Sequence, residues 1–136
     1  MNAPLPTHLL PDMAQRETPA ALIDALKNRF VERCSTALIV REQHGRDESS
    51  FAAPPPSAVV FAESTTDVAD AVKLASQYSV PVIAFGVGTS LEGHLLAVQG
   101  GISIDVHTVL AGQLDGIGDI GGALGKHHGR RRRRCE

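Results

Sequence analysis

Leu22, Leu26 and Phe30, with Ile23 and Val31 beside them, recur at helical spacing and set one apolar stripe along the first part of the chain. Thr18 and Pro19 ahead of the stripe read as a hydroxyl cap followed by proline at the first helical position, and the helix is expected to end near Cys34. Residues 35–43 stay open between a short helix and a strand, because Ala37 to Val40 is one unbroken apolar run. Pro54, Pro55 and Pro56 fix an extended path, and Ala58-Val59-Val60-Phe61 follows as a short buried strand. Ser64 and Asp67 offer a cap and an acidic first turn to the next helix. Its core face is expected at Val68, Ala71, Val72 and Ala75. Val80 to Phe85 reads as a second buried strand, so residues 58–85 form a βαβ unit that crosses right-handed onto a parallel pair. Ile102, Ile104 and Val106 alternate with Ser103 and Asp105, a third strand with one buried face.

The pattern fades after that. Residues 112–125 hold six glycines, each costing a helix roughly 1 kcal/mol, and residues 107–136 are expected to be mostly disordered. At 136 residues the chain is one small domain, and its 43% apolar and 21% charged content is that of an ordinary soluble protein. With no Trp, the core must rest on Ala, Val, Leu and Ile. No apolar run of membrane-spanning length occurs, and the start Met1-Asn2-Ala3-Pro4 does not read as a signal peptide. Cys34 and Cys135 have no metal-type spacing, which suits a reduced compartment, and Cys34 reads as a small core residue. The net charge of −2 conceals an asymmetry: residues 1–125 carry 7 basic and 14 acidic side chains, while Lys126 and Arg130 to Arg134 make the end basic.

The chemistry concentrates in Ala84-Phe85-Gly86-Val87-Gly88-Thr89-Ser90. Gly86 and Gly88 let a ligand approach the backbone, while Thr89 and Ser90 add hydroxyl donors beside amides that can converge on one anionic group. A plain strand-to-loop turn is the competing reading. The dinucleotide fingerprint fails because its third glycine would fall at Leu91, and no Gly-Lys-Ser/Thr of a P-loop follows. Asp105 lies near the ribose-binding position of a Rossmann unit, but the segment broken by Gly93, Gly100 and Gly101 is too short for a crossover helix. His94 suits either a cofactor-orienting or acid/base role or a hydrogen-bonded structural one. His44 to Glu48 reads as a solvated polar loop. The Arg130–Arg134 run could bind phosphate backbones, though no aromatic residues interleave it for base stacking. A shifted reading frame in a GC-rich gene produces tails of the same kind.

Ala84-Phe85-Gly86-Val87-Gly88-Thr89-Ser90-Leu91-Glu92-Gly93-His94, followed by Gly100-Gly101-Ile102-Ser103-Ile104-Asp105, closely resembles the first FAD-diphosphate loop of the vanillyl-alcohol-oxidase/p-cresol-methylhydroxylase (PCMH-type) flavoproteins. The branch it resembles contains D-lactate dehydrogenase and glycolate oxidase. Arg41 to Ser49 and Pro56 to Phe61 also look like that branch; Ala62 and Ala84 stand where it usually has proline, and the likeness stops near Val106. The resemblance implies an α/β fold, the N-terminal lobe of a PCMH-type FAD-binding domain with a short parallel sheet and flanking helices. It divides the chain into a flexible N-terminus (1–17), a helical segment (18–53), a partial FAD-binding domain (54–110) and a Gly/Arg-rich disordered tail (111–136). It implies FAD as cofactor, held by Ala84, Phe85, Gly86, Val87, Gly88, Thr89, Ser90 and Gly93, with no metal. It further implies oxidation of a 2-hydroxy acid, D-lactate, with electrons passing to a cytochrome or quinone, in the cytoplasm or peripheral to the inner membrane. No catalytic residue and no nucleic acid partner are expected, and the chain is expected to be a truncated, inactive piece. The alternatives are a non-catalytic fragment without a stable ligand and a small nucleic-acid-binding protein acting through its arginines.

Overall fold

The computed structural model describes residues 15–112. In chain order they form α1 (Ala20–Phe30), a 3-10 turn (Val31–Arg33), β1 (Cys34–Ser35), α2 (Leu38–Gln43), β2 (Ala58–Phe61), α3 (Thr65–Gln77), β3 (Val82–Phe85) and β4 (Ile102–Asp105). Residues 107–112 are helical, where disorder is expected from the sequence, and the expectations for residues 1–14 and 113–136 lie outside the described residues.

The sheet runs β1-β2-β4-β3. β4 lies between β2 and β3 and is parallel to both, with Ile102 level with Ala58 and Val82, and Asp105 level with Phe61 and Phe85. The βαβ unit of residues 58–85 is therefore present, but its two strands are not neighbours; each pairs with β4. This central place explains two corrections. β4 is buried on both faces rather than one, with Ser103 as inaccessible as Ile102. β3, expected to be buried, is an edge strand among the described residues, and Val82 is 38% exposed. The two-residue β1, paired antiparallel with β2 through Cys34–Val60 and Ser35–Val59, is too short to leave an alternating pattern.

Leu22, Leu26 and Phe30 of α1 are buried against Ala58 and Val60 of β2, Ala71 and Ala75 of α3, and Ile102 and Ile104 of β4. Each such large side chain contributes about 1.5–3 kcal/mol when withdrawn from water. Val72 is 43% exposed, and the inner face of α3 runs through Ala71 and Ala75 with Val68 and Leu74 beside them. Ser64 does cap α3, accepting from the Asp67 N–H at 3.1 Å, while Asp67 Oδ2 accepts from the Glu63 N–H at 3.1 Å. Thr18 makes no cap hydrogen bond, and its buried hydroxyl has no partner among the described residues. α1 stops at Phe30 because Val31 turns to φ +49°, which leaves that side chain exposed rather than on the stripe. Arg33 then reaches Asp67 at 2.5 Å and Arg29 reaches Asp70 at 2.6 Å, clasping α1 to α3. α2 settles the ambiguity of residues 35–43 in favour of a helix, preceded by the β1 pairing at Ser35.

Entry into β4 depends on glycine. Gly101 has φ +102°, and a Cβ there would sit 2.3 Å from the Pro81 carbonyl oxygen. The close approach lets Pro81 O accept from the Ile102 N–H at 3.0 Å and Gly101 O accept from the Ser57 N–H at 2.7 Å, setting the register of all three parallel strands.

Candidate flavin site at the carboxyl end of the sheet

Phe61, Phe85 and Asp105 end the three parallel strands at one level, and open α/β sheets bind ligands beyond that edge. From Phe85 the chain turns into an open cleft of about 440 Å³ lined by Ala84, Gly86, Val87, Gly88, Thr89, Ser90, His94 and Leu95. Gly88 has φ +77°, and a Cβ there would come within 3.0 Å of the Phe85 ring, so this position is closed to a side chain. Gly86 differs: the nearest atom to a Cβ would be Leu110 Cδ1 at 3.9 Å, and the space that glycine leaves open belongs to the cleft.

Six of the eight expected site residues line this cleft: Ala84, Gly86, Val87, Gly88, Thr89 and Ser90. Phe85 lies under the loop, its ring 4.4 Å from that of His44. Gly93, at φ +78°, packs against the Phe51 ring, which a Cβ would meet at 3.1 Å. His94 and Leu95 complete the wall; Leu95, with buried Leu96 and Ala97, anchors the returning chain by an apolar run that the glycine-rich surroundings hide in the sequence.

Among the described residues His94 is the one ionisable residue of the cleft lining. Its Nδ1 lies 3.2 Å from Ser90 Oγ, and the Ser90 carbonyl accepts from the Glu48 N–H at 2.9 Å. Asp47, next to Glu48, accepts at Oδ1 from the Ser49 hydroxyl (2.5 Å) and N–H (3.0 Å). The Ser49 hydroxyl holds the Asp47 carboxyl below the usual carboxylate range, helped by the Ser49 and Gly93 amides and by the charge of His94, against the opposing effect of burial. Residues 47–51 thus reach the loop from 40 positions upstream, which no local pattern reveals.

His44 is also not solvated. Buried, it stands edge-on to Phe61 (centroids 5.4 Å apart) and tilted on Phe85. Nδ1 faces Val40 O at 2.9 Å, and Nε2 faces Asp105 Oδ2 at 2.9 Å. Asp105 Oδ1 in turn accepts from the His107 N–H at 2.9 Å, opening the helical residues 107–112. Both carboxylate oxygens of Asp105 are engaged, so it is not a free ribose acceptor, in agreement with the sequence argument against a Rossmann unit. Of the polar run His44 to Glu48, Arg46 and Glu48 alone are well exposed.

Two other hollows of similar size lie elsewhere. One, of about 390 Å³ between Arg16, Thr18, Arg41 and Ser57, is at the opposite end of the strands; the other, of about 490 Å³, lies on α1 and α3 around Asn28 and Leu74. Gly100 edges the first, and neither adjoins the Gly86–Ser90 loop. Among the described residues no cluster of His, Cys, Asp or Glu could hold a metal ion, and no helix is long and apolar enough to cross a membrane. Cys34 is buried in the core, as expected, and burial pushes its thiol upward.

The loop fits the diphosphate of FAD. Its backbone is bared by glycine at Gly86, hydroxyls flank it, and among the described residues no acidic side chain lines the cleft. Comparison with known proteins agrees. A family model described as FAD binding domain matches residues 56–131. The protein of Danio rerio named Probable D-lactate dehydrogenase, mitochondrial, is 48% identical over 71 residues, which are 52% of this chain and 14% of that protein. The mitochondrial D-lactate dehydrogenase [cytochrome] of Arabidopsis thaliana is 37% identical over 93 residues, 67% of this chain and 16% of that one. The chain therefore spans about one sixth or less of the length of these relatives. Among solved structures, alkyldihydroxyacetonephosphate synthase superposes with a TM-score of 0.61 at 22% identity, covering 69% of this chain and 21% of that chain, a likeness of fold. Because the family match extends over more than half of its residues, this chain belongs to the FAD binding domain family of PCMH-type flavoproteins, whose cofactor is FAD.

Proposed function

We propose that the chain is the diphosphate-binding lobe of an FAD-dependent 2-hydroxy-acid dehydrogenase acting on D-lactate. The observation that carries this reading is the Gly86–Ser90 loop, which leaves the carboxyl end of β3 into an open cleft with no acidic lining among the described residues. The names of the two relatives supply the substrate class. FAD, when bound, supplies the acceptor for a hydride from the hydroxy acid, with a cytochrome or quinone as the onward acceptor. Ala84 to Ser90 bind and orient the cofactor's diphosphate: Gly86 admits it to the backbone, Gly88 supplies the left-handed turn, and the Thr89 and Ser90 hydroxyls donate to it. Gly93 and Phe85 hold the loop's shape from beneath. No described residue is assigned to the substrate carboxylate or its proton, so the chain by itself is expected to grip FAD weakly and to lack dehydrogenase activity.

Two measurements test this. Titrating the isotopically labelled chain with FAD should shift the amide signals of Gly86, Gly88 and Ser90 in a saturable way; no response at millimolar FAD rejects the loop assignment. For the substrate, the matching segment of the Danio rerio protein is replaced by residues 56–106 of this chain. The chimera should bind FAD and reduce a dye with D-lactate in preference to L-lactate, and a chimera that binds FAD yet ignores D-lactate rejects the substrate class.

A further inference from the structure

The amides and hydroxyls of the Gly86–Ser90 loop carry only partial charges, yet a diphosphate brings at least two full negative ones. Among the described residues lining the cleft one alone can carry a compensating charge, and it is His94. Its ring is held at Nδ1, which lies 3.2 Å from Ser90 Oγ, at the end of the loop. Outside the cleft lining, the Asp47 carboxylate is near enough for its electrostatics to couple to His94. Asp47 is built for that place: Ser49 supplies two hydrogen bonds to Oδ1, while Oδ2 is shut off from solvent without a full hydrogen bond of its own. A carboxylate in that position is costly unless a positive group faces it. The next residue fastens the same turn, since the Glu48 N–H donates to Ser90 O at 2.9 Å, and the Phe51 ring covers Gly93.

We infer that His94 is the cation of the diphosphate site and that Asp47 complements its charge from outside the cleft. Resting on the proposed flavin-binding function, this assigns the site's charge to a residue outside the Gly86–Ser90 loop. Asp47 itself does not touch the ligand.

The test uses the full chain and inorganic diphosphate as the probe, with loop amide shifts as the readout and phosphate-free adenosine as a control. The native chain should show saturable shifts at Gly86, Gly88 and Ser90. His94→Gln should weaken diphosphate binding about tenfold, as expected when a charge-assisted contact is lost, and His94→Lys should restore it to within about threefold. Asp47→Asn, which keeps the acceptor for Ser49 but not the charge, should weaken binding about fivefold to tenfold with His94 intact. Ligand-free spectra should change only near the substituted residue, and any response to adenosine should be equal in all four chains. Absence of loop shifts in the native chain overturns the flavin-site reading and this inference with it. Native binding that His94→Gln leaves unchanged, or that His94→Lys fails to recover, overturns the inference alone. Loss in His94→Gln without loss in Asp47→Asn removes Asp47 from the arrangement.

Discussion

His44 Nε2 meets Asp105 Oδ2 at 2.9 Å, joining the end of α2 to the end of β4 across 61 positions of sequence. The pair locks together the carboxyl ends of the parallel strands, because His44 fills the space between Phe61 and Phe85 and Asp105 starts the helical residues 107–112. Asp105→Ala should therefore strand both the imidazole and the His107 N–H, and lower stability by about 3 kcal/mol. Adding His44→Phe should recover part of the loss, since the slot is already aromatic on two sides. A double-mutant cycle in urea checks this, and simple additivity of the two losses rejects the coupling.

The two loop glycines should part company. Gly88→Ala puts a side chain at φ +77° against the Phe85 ring and should cost about 1–3 kcal/mol of stability. Gly86→Ala has room and should leave the melting curve within about 0.5 kcal/mol of native, while reducing FAD binding through the methyl group placed in the cleft. Paired denaturation and FAD titrations of the two variants decide the matter; equal effects on stability would contradict the geometry.

Acid should loosen the α1–α3 clasp. The Arg33 side chain, hydrogen-bonded to Asp67, holds that carboxyl below its usual range against the opposing effect of burial. Since the folded value is depressed, the stabilisation is complete above the unfolded value of about 3.9 and is lost as pH falls through the folded one. Urea midpoints measured from pH 7 down to pH 3 should fall more steeply for the native chain than for Asp67→Asn, and parallel profiles would exclude Asp67 as a source of the acid sensitivity.

Val31 sits at φ +49°, a conformation that a β-branched residue avoids. Val31→Gly should relieve that strain and stabilise the chain by about 1 kcal/mol after the extra chain entropy of glycine is deducted. Thermal melts test the sign, and a lower midpoint in the variant would show that the backbone there is not strained.

Periodicity was enough to find α1, α3 and the three parallel strands, since Leu22-Leu26-Phe30 and Ala71-Ala75 do face the core and the apolar tetrads are strands. The motif Gly86–Ser90 was legible because glycine and hydroxyl spacing is a local property of the chain. What escaped was set by distant partners. Val80 to Phe85 is as apolar as a central strand, and only the insertion of β4 beside it makes it an edge. Ser103 looks like a solvent-facing position, yet it is inaccessible on the face opposite the one that Ile102 and Ile104 turn to α1 and α3. His44 and Asp47 read as solvated loop residues because their partners, Asp105 and the turn at Gly93, lie some 45 to 60 residues away. Thr18 met the rule for a cap residue and still makes no cap bond.

Among the described residues the middle one of the three parallel strands is also the last in sequence, and that fixes an order of assembly. Among the described residues β3 has no partner but β4, and β2 has only the two-residue β1 until β4 arrives. A chain emerging from the ribosome would thus hold two finished apolar strands with bare hydrogen-bonding edges while residues 86–101 are still being made. Consolidation must wait for Gly101 to slip beneath Pro81, after which both parallel ladders close in one step. Nascent chains stalled before residue 100 should accordingly be protease-sensitive and chaperone-bound, whereas those in which residue 112 has cleared the exit tunnel should become resistant together, with α1, α3 and the flavin loop protected at the same chain length.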